Sequence, residues 1–209
     1  MNIHTRLWKM MMLLGLTPLF WLFINIALER LGANPIQAIH FYLGDWTLRF
    51  LCLSLAIGPL IKITDWKWIL SYRRMIGLFT CLYGSLHVLN YLWVDHALVW
   101  RSIWLDIIES PYIIMGLIAY LIIFAMGITS TKSWQKRLGR NWKRLHRCIY
   151  LASITAVIHY FWHLKGNLAE PLLYALIISM LLGFRIMLWW RTKQIRRRGE
   201  LAIEETTRA

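Results

Sequence analysis

Six stretches of this sequence stay apolar for long enough to cross a bilayer: residues 10–28, 44–63, 75–94, 111–129, 148–164 and 172–190. A hydrocarbon core of about 30 Å takes about 20 helical residues at about 1.5 Å each. With 58% hydrophobic residues among 209, almost no chain is left for a soluble domain. The expected fold is therefore an all-α integral membrane protein, a bundle of six transmembrane helices. It divides into a short tail at 1–9, a transmembrane domain over 10–190 and a basic tail at 191–209.

Positive charge falls on alternate sides of these spans. Arg6 and Lys9 precede the first; Lys62, Lys67, Arg73 and Arg74 join the second to the third; seven Lys and Arg lie between 132 and 147; six more follow the sixth span. The opposite side has only Arg30, Arg101 and Lys165, diluted by Glu29, Asp95, Asp106, Glu109 and Glu170. Cytoplasmic loops retain Lys and Arg, so both termini are expected in the cytoplasm. The net charge of +14 is then explained by topology and by anionic lipid. Nucleic-acid binders gather their basic residues on one folded face, so that class is set aside. The first span is too long for a signal-peptide core and is followed by no small-residue cleavage pattern, so it is expected to stay. Cys52, Cys81 and Cys148 lack any paired spacing and read as small apolar fillers. No Walker-type or G-x-G-x-x-G loop is present.

Within this frame two histidines stand at one depth. His87 lies 13 residues beyond Arg74 and His159 12 residues beyond Arg147, about 20 and 18 Å up helices that both rise from the cytoplasm. Imidazole in hydrocarbon is expensive and is kept for a ligand, a proton path or a polar partner. Two at matched depth point to one shared ligand, and haem iron suits neutral imidazole on both axial positions. Such a site has no open coordination position and suits an electron carrier.

His146 begins the fifth span at the cytoplasmic surface. A second haem there needs a partner near 72–74, where the chain has Tyr72, Arg73 and Arg74, none of them a good ligand. The remaining readings for His146 are a flavin phosphate, a quinone or the lipid interface. His163, one turn after His159, is a substitute ligand, a propionate contact or a solvent-facing residue. Asp45 and Arg49, spaced i,i+4 on the second span, sit near the level of the proposed haem; Arg49 pairs with a propionate, pairs with Asp45, or snorkels to the headgroups. Arg73 and Arg74 either hold an anionic cofactor on the inner side or serve topology alone. His40, His96 and His4 default to the surface. The outer loop 95–110, with Trp100 and Trp104, is a docking surface or an interfacial aromatic belt.

The chain also resembles a known family along nearly its whole length. The segments that carry the resemblance are Leu31-Gly32-Ala33-Asn34-Pro35, Gly44-Asp45-Trp46-Thr47-Leu48-Arg49-Phe50, Arg73-Arg74-Met75-Ile76-Gly77-Leu78 and Leu86-His87. They continue through Pro111-Tyr112-Ile113, Gly116-Leu117 and Thr129-Ser130-Thr131 to Leu138-Gly139, Trp142, Leu145-His146, Tyr150-Leu151 and His159-Tyr160. Each is weak alone; their order and spacing are specific. They resemble the MsrQ (YedZ) family, haem-binding membrane subunits of a bacterial periplasmic methionine-sulfoxide reductase system, within the ferric-reductase-like transmembrane group.

The resemblance implies haem b on His87 and His159, with His146 as a further family position, and FMN bound on the inner side. It implies a soluble periplasmic molybdopterin-containing subunit that reduces methionine sulfoxide in damaged proteins. Larger relatives carry a cytosolic flavin and nicotinamide domain. Here about 19 residues follow the last span, so electrons are expected from a membrane quinol or a separate flavin reductase. Two other readings remain: a stand-alone ferric or quinone reductase of the same fold, and a transporter with His87, His159 and Arg49 on a proton or metal path, although no inverted repeat is visible.

Overall fold

The computed structural model describes residues 3–164, 166 and 168–208, and within it the side chains of His4, Arg196 and residues 201–208 lie outside the described set, as does Lys165. Its described elements are all helical. They are α1 (Ile3–Ala27), α2 (Pro35–Thr64), a 3₁₀ turn (Lys67–Tyr72), α3 (Arg73–Leu89) continued by a π-helical turn (Asn90–Asp95), α4 (Trp100–Glu109), α5 (Pro111–Ile128), α6 (Lys132–Leu138), α7 (Arg140–Arg147), α8 (Ile149–His163) and α9 (Ala169–Arg208).

Five of these stretches are long and apolar enough to cross a membrane: Thr5–Ala27, Pro35–Thr64, Lys67–Asp95, Pro111–Ile128 and Ala169–Ile195. The fifth expected span, α8, has only 15 residues, about 22 Å of helix. One residue, Cys148, separates it from α7.

Helix ends follow local chemistry. Asn34 accepts a hydrogen bond from the Gln37 backbone N–H at 3.2 Å and Pro35 takes the first helical position, whose N–H would be unpaired in any case. This pair starts α2 nine residues before the expected span at 44. Asp65, in the left-handed region at φ 57°, closes it with its N–H on the Ile61 carbonyl. Pro111 opens α5 in the same way as Pro35 opens α2. The basic segment after α5 folds into two short helices, α6 and α7, and α9 continues as a helix through the basic tail to Arg208.

The core has two parts. α2 packs on α3, and α1 lies over that pair; Phe50, Phe79 and Tyr83 stack there, and the Tyr83 hydroxyl donates to the Gly15 carbonyl at 2.8 Å. α5 packs on α8, with α9 closing behind α8 and α2; Leu48, Leu51, Leu55, Ile149 and Ile178 meet in this second cluster. α3 and α5 touch between the two pairs. Much of the outer surface is large and apolar, including Leu13, Phe23, Leu173 and Met180, as a lipid-facing surface requires.

Candidate functional site

α3 and α8 bring His87 and His159 to one cavity of about 750 Å³, on the side of the bundle where α2 begins and α3 ends. Their ring centres are 6.3 Å apart and the rings nearly perpendicular, at 82°. That spacing is at the far end of aromatic contact. Each ring is held from behind by a carbonyl on a different helix. His87 Nδ1 donates to the His40 carbonyl of α2 at 3.0 Å, and His159 Nδ1 donates to the Tyr112 carbonyl of α5 at 2.8 Å. A carbonyl oxygen only accepts, so Nδ1 carries the proton and Nε2 is left as the basic nitrogen, the form a metal ligand needs.

The backbones behind the rings are close because glycines stand there. A Cβ at Gly44 would lie 3.1 Å from the His87 ring, and one at Gly116 would lie 2.7 Å from His159 Nδ1. Leu48, Leu51, Ala119 and Ile123 give the cavity apolar walls, and its outer mouth carries Asp95, His96 and Asp106. Volume, apolar walls and two inward imidazoles with free Nε2 together fit a haem. Among the described residues no three His, Cys, Asp or Glu side chains gather as a metal cluster.

Two expectations about the outer side are corrected. His40 is not in a loop, because α2 begins at Pro35; its ring lies against His87, centres 4.1 Å apart, and its Nδ1 is 3.5 Å from Asp95. His96 is no plain surface residue either. Its Nε2 meets Asp106 at 3.2 Å and its Nδ1 meets the Ser102 hydroxyl at 2.8 Å, while the Tyr91 hydroxyl donates to the same Asp106 oxygen at 2.9 Å. This polar clasp pins α4 over the cavity mouth. The connection runs through Ala97 and Leu98, both in the left-handed region at φ 48° and 59°, a backbone form that costs free energy in residues with a Cβ. Outside, Trp100, Trp104 and Ile108 share one exposed helical stripe. His163 faces the cavity, its ring parallel to that of His159 at 6.2 Å and 5.0 Å from Tyr112.

Arg49 is not among the residues lining the cavity. Its Nε donates to the Tyr174 hydroxyl at 3.2 Å, it lies 3.8 Å from Asp45, and it covers the Trp46 ring at 4.8 Å. The Asp45 reading of this residue is the one the geometry displays.

A second cavity, of about 460 Å³, opens at the inner end between α2, α3, α5 and α7. Arg74 and His146 both line it, with Arg73, Lys143 and Arg147. His146 Nδ1 donates to the Trp142 carbonyl at 3.1 Å, and its ring stacks on Trp142 at 3.9 Å. Burial, helped by the nearby Arg73 charge, holds its pKa below the ordinary imidazole value. Neutral His146 therefore adds no further charge to a cavity already rich in cations. Ile123 lines both cavities.

The spans, the paired imidazoles and the cavity between them define the class first: residues 43–157 match the ferric reductase like transmembrane component family, more than half of the chain. Three curated relatives narrow this. The haem-binding subunit MsrQ of protein-methionine-sulfoxide reductase from Xanthomonas campestris pv. campestris (strain B100) is 41% identical over 85% of this chain and 80% of its own. That from Ralstonia nicotianae is 40% identical over 85% and 82%, and that from Herminiimonas arsenicoxydans 35% identical over 90% and 88%. The chain belongs to the MsrQ family. No solved structure matches it.

Proposed function

We propose that this chain is the membrane cytochrome b subunit of a protein-methionine-sulfoxide reductase, holding haem b between His87 and His159 and delivering electrons from the cytoplasmic to the periplasmic side of a bacterial inner membrane. The observation that carries this reading is the pair of facing imidazoles, each with Nδ1 tied to a backbone carbonyl and Nε2 free. Haem b, when bound, supplies a one-electron iron couple. His87 and His159 would hold the haem, and an iron held by two imidazoles would suit electron transfer rather than binding of a small substrate. The carbonyls of His40 and Tyr112 fix the tautomer and aim of the two rings, and Leu48, Leu51 and Ala119 keep water from the apolar wall.

In this reading six helices cross the membrane, α8 included, because α7 delivers it directly from the inner surface and His159 must reach the depth of His87. Both termini lie in the cytoplasm, on the side where Lys and Arg concentrate. Electrons arrive there from a membrane quinol or a flavin reductase. FMN belongs to this inner side, and Arg74 and His146 are the candidates to touch it, in a cavity that shares Ile123 with the outer one. The acceptor is a periplasmic molybdopterin-containing subunit that carries out sulfoxide reduction. The relatives' name supports the reductase assignment, and the charge asymmetry supports the direction.

The test is the reduced-minus-oxidised visible spectrum of the detergent-purified protein, with haem per chain counted by pyridine haemochrome. The wild type is expected to give a sharp b-type α-band at one haem per chain. His87→Ala and His159→Ala are each expected to lose the low-spin signal, and His96→Ala to keep it. An intact spectrum in both ligand variants overturns the assignment; a second haem per chain would recruit His146; no chromophore in a folded, haem-supplied protein favours the transporter reading.

A further inference from the structure

Among the helices that line the cavity of His87 and His159, α4 differs from the rest. α2, α3, α5 and α8 are joined to one another by broad packing. α4 has ten residues, packs on α5 and reaches the cavity through Ile103, Asp106 and Ile107. Packed helices lie about 8–10 Å apart, with side chains filling the space between their axes, so a rigid macrocycle cannot slip between the long ones. The wall able to move without breaking the bundle is α4.

The sequence of α4 divides into three faces. Ile103 and Ile107, four residues apart, turn to the cavity, and Ile103 is buried. Trp100, Trp104 and Ile108, at i, i+4 and i+8, are exposed on the outside. Ser102, Asp106 and Glu109, at i, i+4 and i+7, mark a polar edge between these two. Trp93, Val94, Leu98 and Val99, in the residues that lead into α4, are exposed as well, and the first two end an apolar stretch long enough to span a membrane. The outer stripe of α4 is thus continuous with the lipid-facing surface. A short helix with apolar faces, one polar edge and tryptophans on the outside suits the boundary between acyl chains and headgroups.

One carboxylate holds this helix in place. Asp106 Oδ2 accepts from the Tyr91 hydroxyl at 2.9 Å and meets His96 Nε2 at 3.2 Å, while Oδ1 accepts from the Ser110 hydroxyl at 3.3 Å. Tyr91 and His96 belong to the end of α3 and the turn after it, and Ser110 to the junction with α5, so Asp106 ties α4 at both ends. Against these bonds stands the cost of Ala97 and Leu98 in the left-handed region. A strained connection that three hydrogen bonds hold shut is poised to open when they weaken.

We propose that α4 is a membrane-seated gate through which haem enters and leaves the outer cavity. It turns on Ala97-Leu98 and on Ser110, is latched by Asp106, and keeps Trp100, Trp104 and Ile108 in the phospholipid of the outer leaflet, so that the cavity opens sideways to the bilayer surface. The inference rests on the reading of the outer cavity as the haem site.

The experiment uses the full chain in nanodiscs of phosphatidylethanolamine and phosphatidylglycerol. Release is read as transfer of haem to excess apomyoglobin, and uptake as growth of the Soret band when haemin is added to the apoprotein. In Asp106→Asn both rates are expected to rise about tenfold, the worth of the charge on a hydrogen-bonded carboxylate, while the affinity and the α-band stay as in the wild type. A weaker latch raises the open population with and without haem alike, so equal acceleration in both directions marks a gate. Faster release with unchanged uptake would make Asp106 part of the wall that retains haem and overturns the gate, as do two unchanged rates. His96→Ala should act in the same direction and carries the test if Asp106→Asn fails to fold. For the membrane seat, benzoylphenylalanine in place of Trp104 should photo-crosslink to phospholipid several-fold more than in place of Glu109, read as lipid mass added to the chain. Equal yields, or a cross-link from 104 to a second copy of this chain, overturn the seat. A wild type that binds no haem sinks the haem reading and the gate together, whereas a wild type that binds haem and exchanges it no more slowly than Asp106→Asn sinks the gate alone.

Discussion

The aim of each ligand nitrogen depends on a neighbour that has no side chain. At Gly116 an added Cβ would lie 2.7 Å from His159 Nδ1, closer than real Cβ contacts come, and the ring would have to leave the Tyr112 carbonyl it now meets at 2.8 Å. Groups that orient a metal ligand are worth about 10- to 100-fold in affinity. Gly116→Ala is therefore expected to weaken haem retention by about that factor in a titration of the apoprotein with haem, and Gly183→Ala, whose added Cβ meets nothing within 4 Å, should leave it unchanged. Equal retention in both variants would mean that close packing of His159 on α5 does not aim it. That the two histidines face one cavity was legible in the sequence, because counting residues from a charged boundary gives depth. The glycines were not, because which backbone faces a ring depends on how each helix is rotated about its axis. Gly116 was present only as one residue of a family segment.

Helix boundaries decide what joins the site, and α2 illustrates both success and failure. Hydropathy alone places its start at 44, which leaves His40 in a loop. The Asn34-Pro35 capping pair moves the start to 35 and brings His40 against His87. The signal was in the sequence as an N-cap followed by proline at the first helical position. At the other end of α2, Pro59 looks like a defect until Arg185 is seen to supply the missing donor, a pairing across 130 residues that no local pattern encodes. This yields a double-mutant cycle. Arg185→Ala strands the Leu55 carbonyl and is expected to cost about 1–3 kcal/mol, read as a lower midpoint in SDS or thermal unfolding of the detergent-solubilised protein. Pro59→Ala restores a backbone N–H at the position four residues after Leu55. In the double variant the loss should be smaller than the sum of the single losses by about 1 kcal/mol. Strict additivity would show that the Leu55 carbonyl is not what couples the two residues.

The alternation of charge across the whole molecule sets the direction of the proposed electron route. With six spans, nineteen Lys and Arg would lie on one side and three on the other, the cation-lined cavity with Arg74 and His146 opening on the richer side and the paired histidines lying towards the poorer one, where α4 borders their cavity. Hydropathy and charge raise this arrangement as an expectation, because the cost of carrying cations across lipid acts on composition and needs no knowledge of packing. What they left open is whether α8 crosses, since its 15 residues are fewer than the about 20 that a bilayer core asks for. The crossing of α8 decides whether the basic segment of α6 and α7 and the loop before α9 lie on opposite sides. A fluorescent protein inserted at Gly139 should fluoresce in intact cells, which requires folding in the cytoplasm. Alkaline phosphatase inserted at Gly166 should be active, which requires export. If both reporters read as cytoplasmic, α8 does not cross, His159 is not at the depth of His87, and the shared haem is lost with it. If both read as inverted, the haem lies nearer the cytoplasm and the proposed flow of electrons runs the wrong way. Only a cytoplasmic 139 segment together with an exported 166 loop places the two histidines where a periplasmic acceptor can use them.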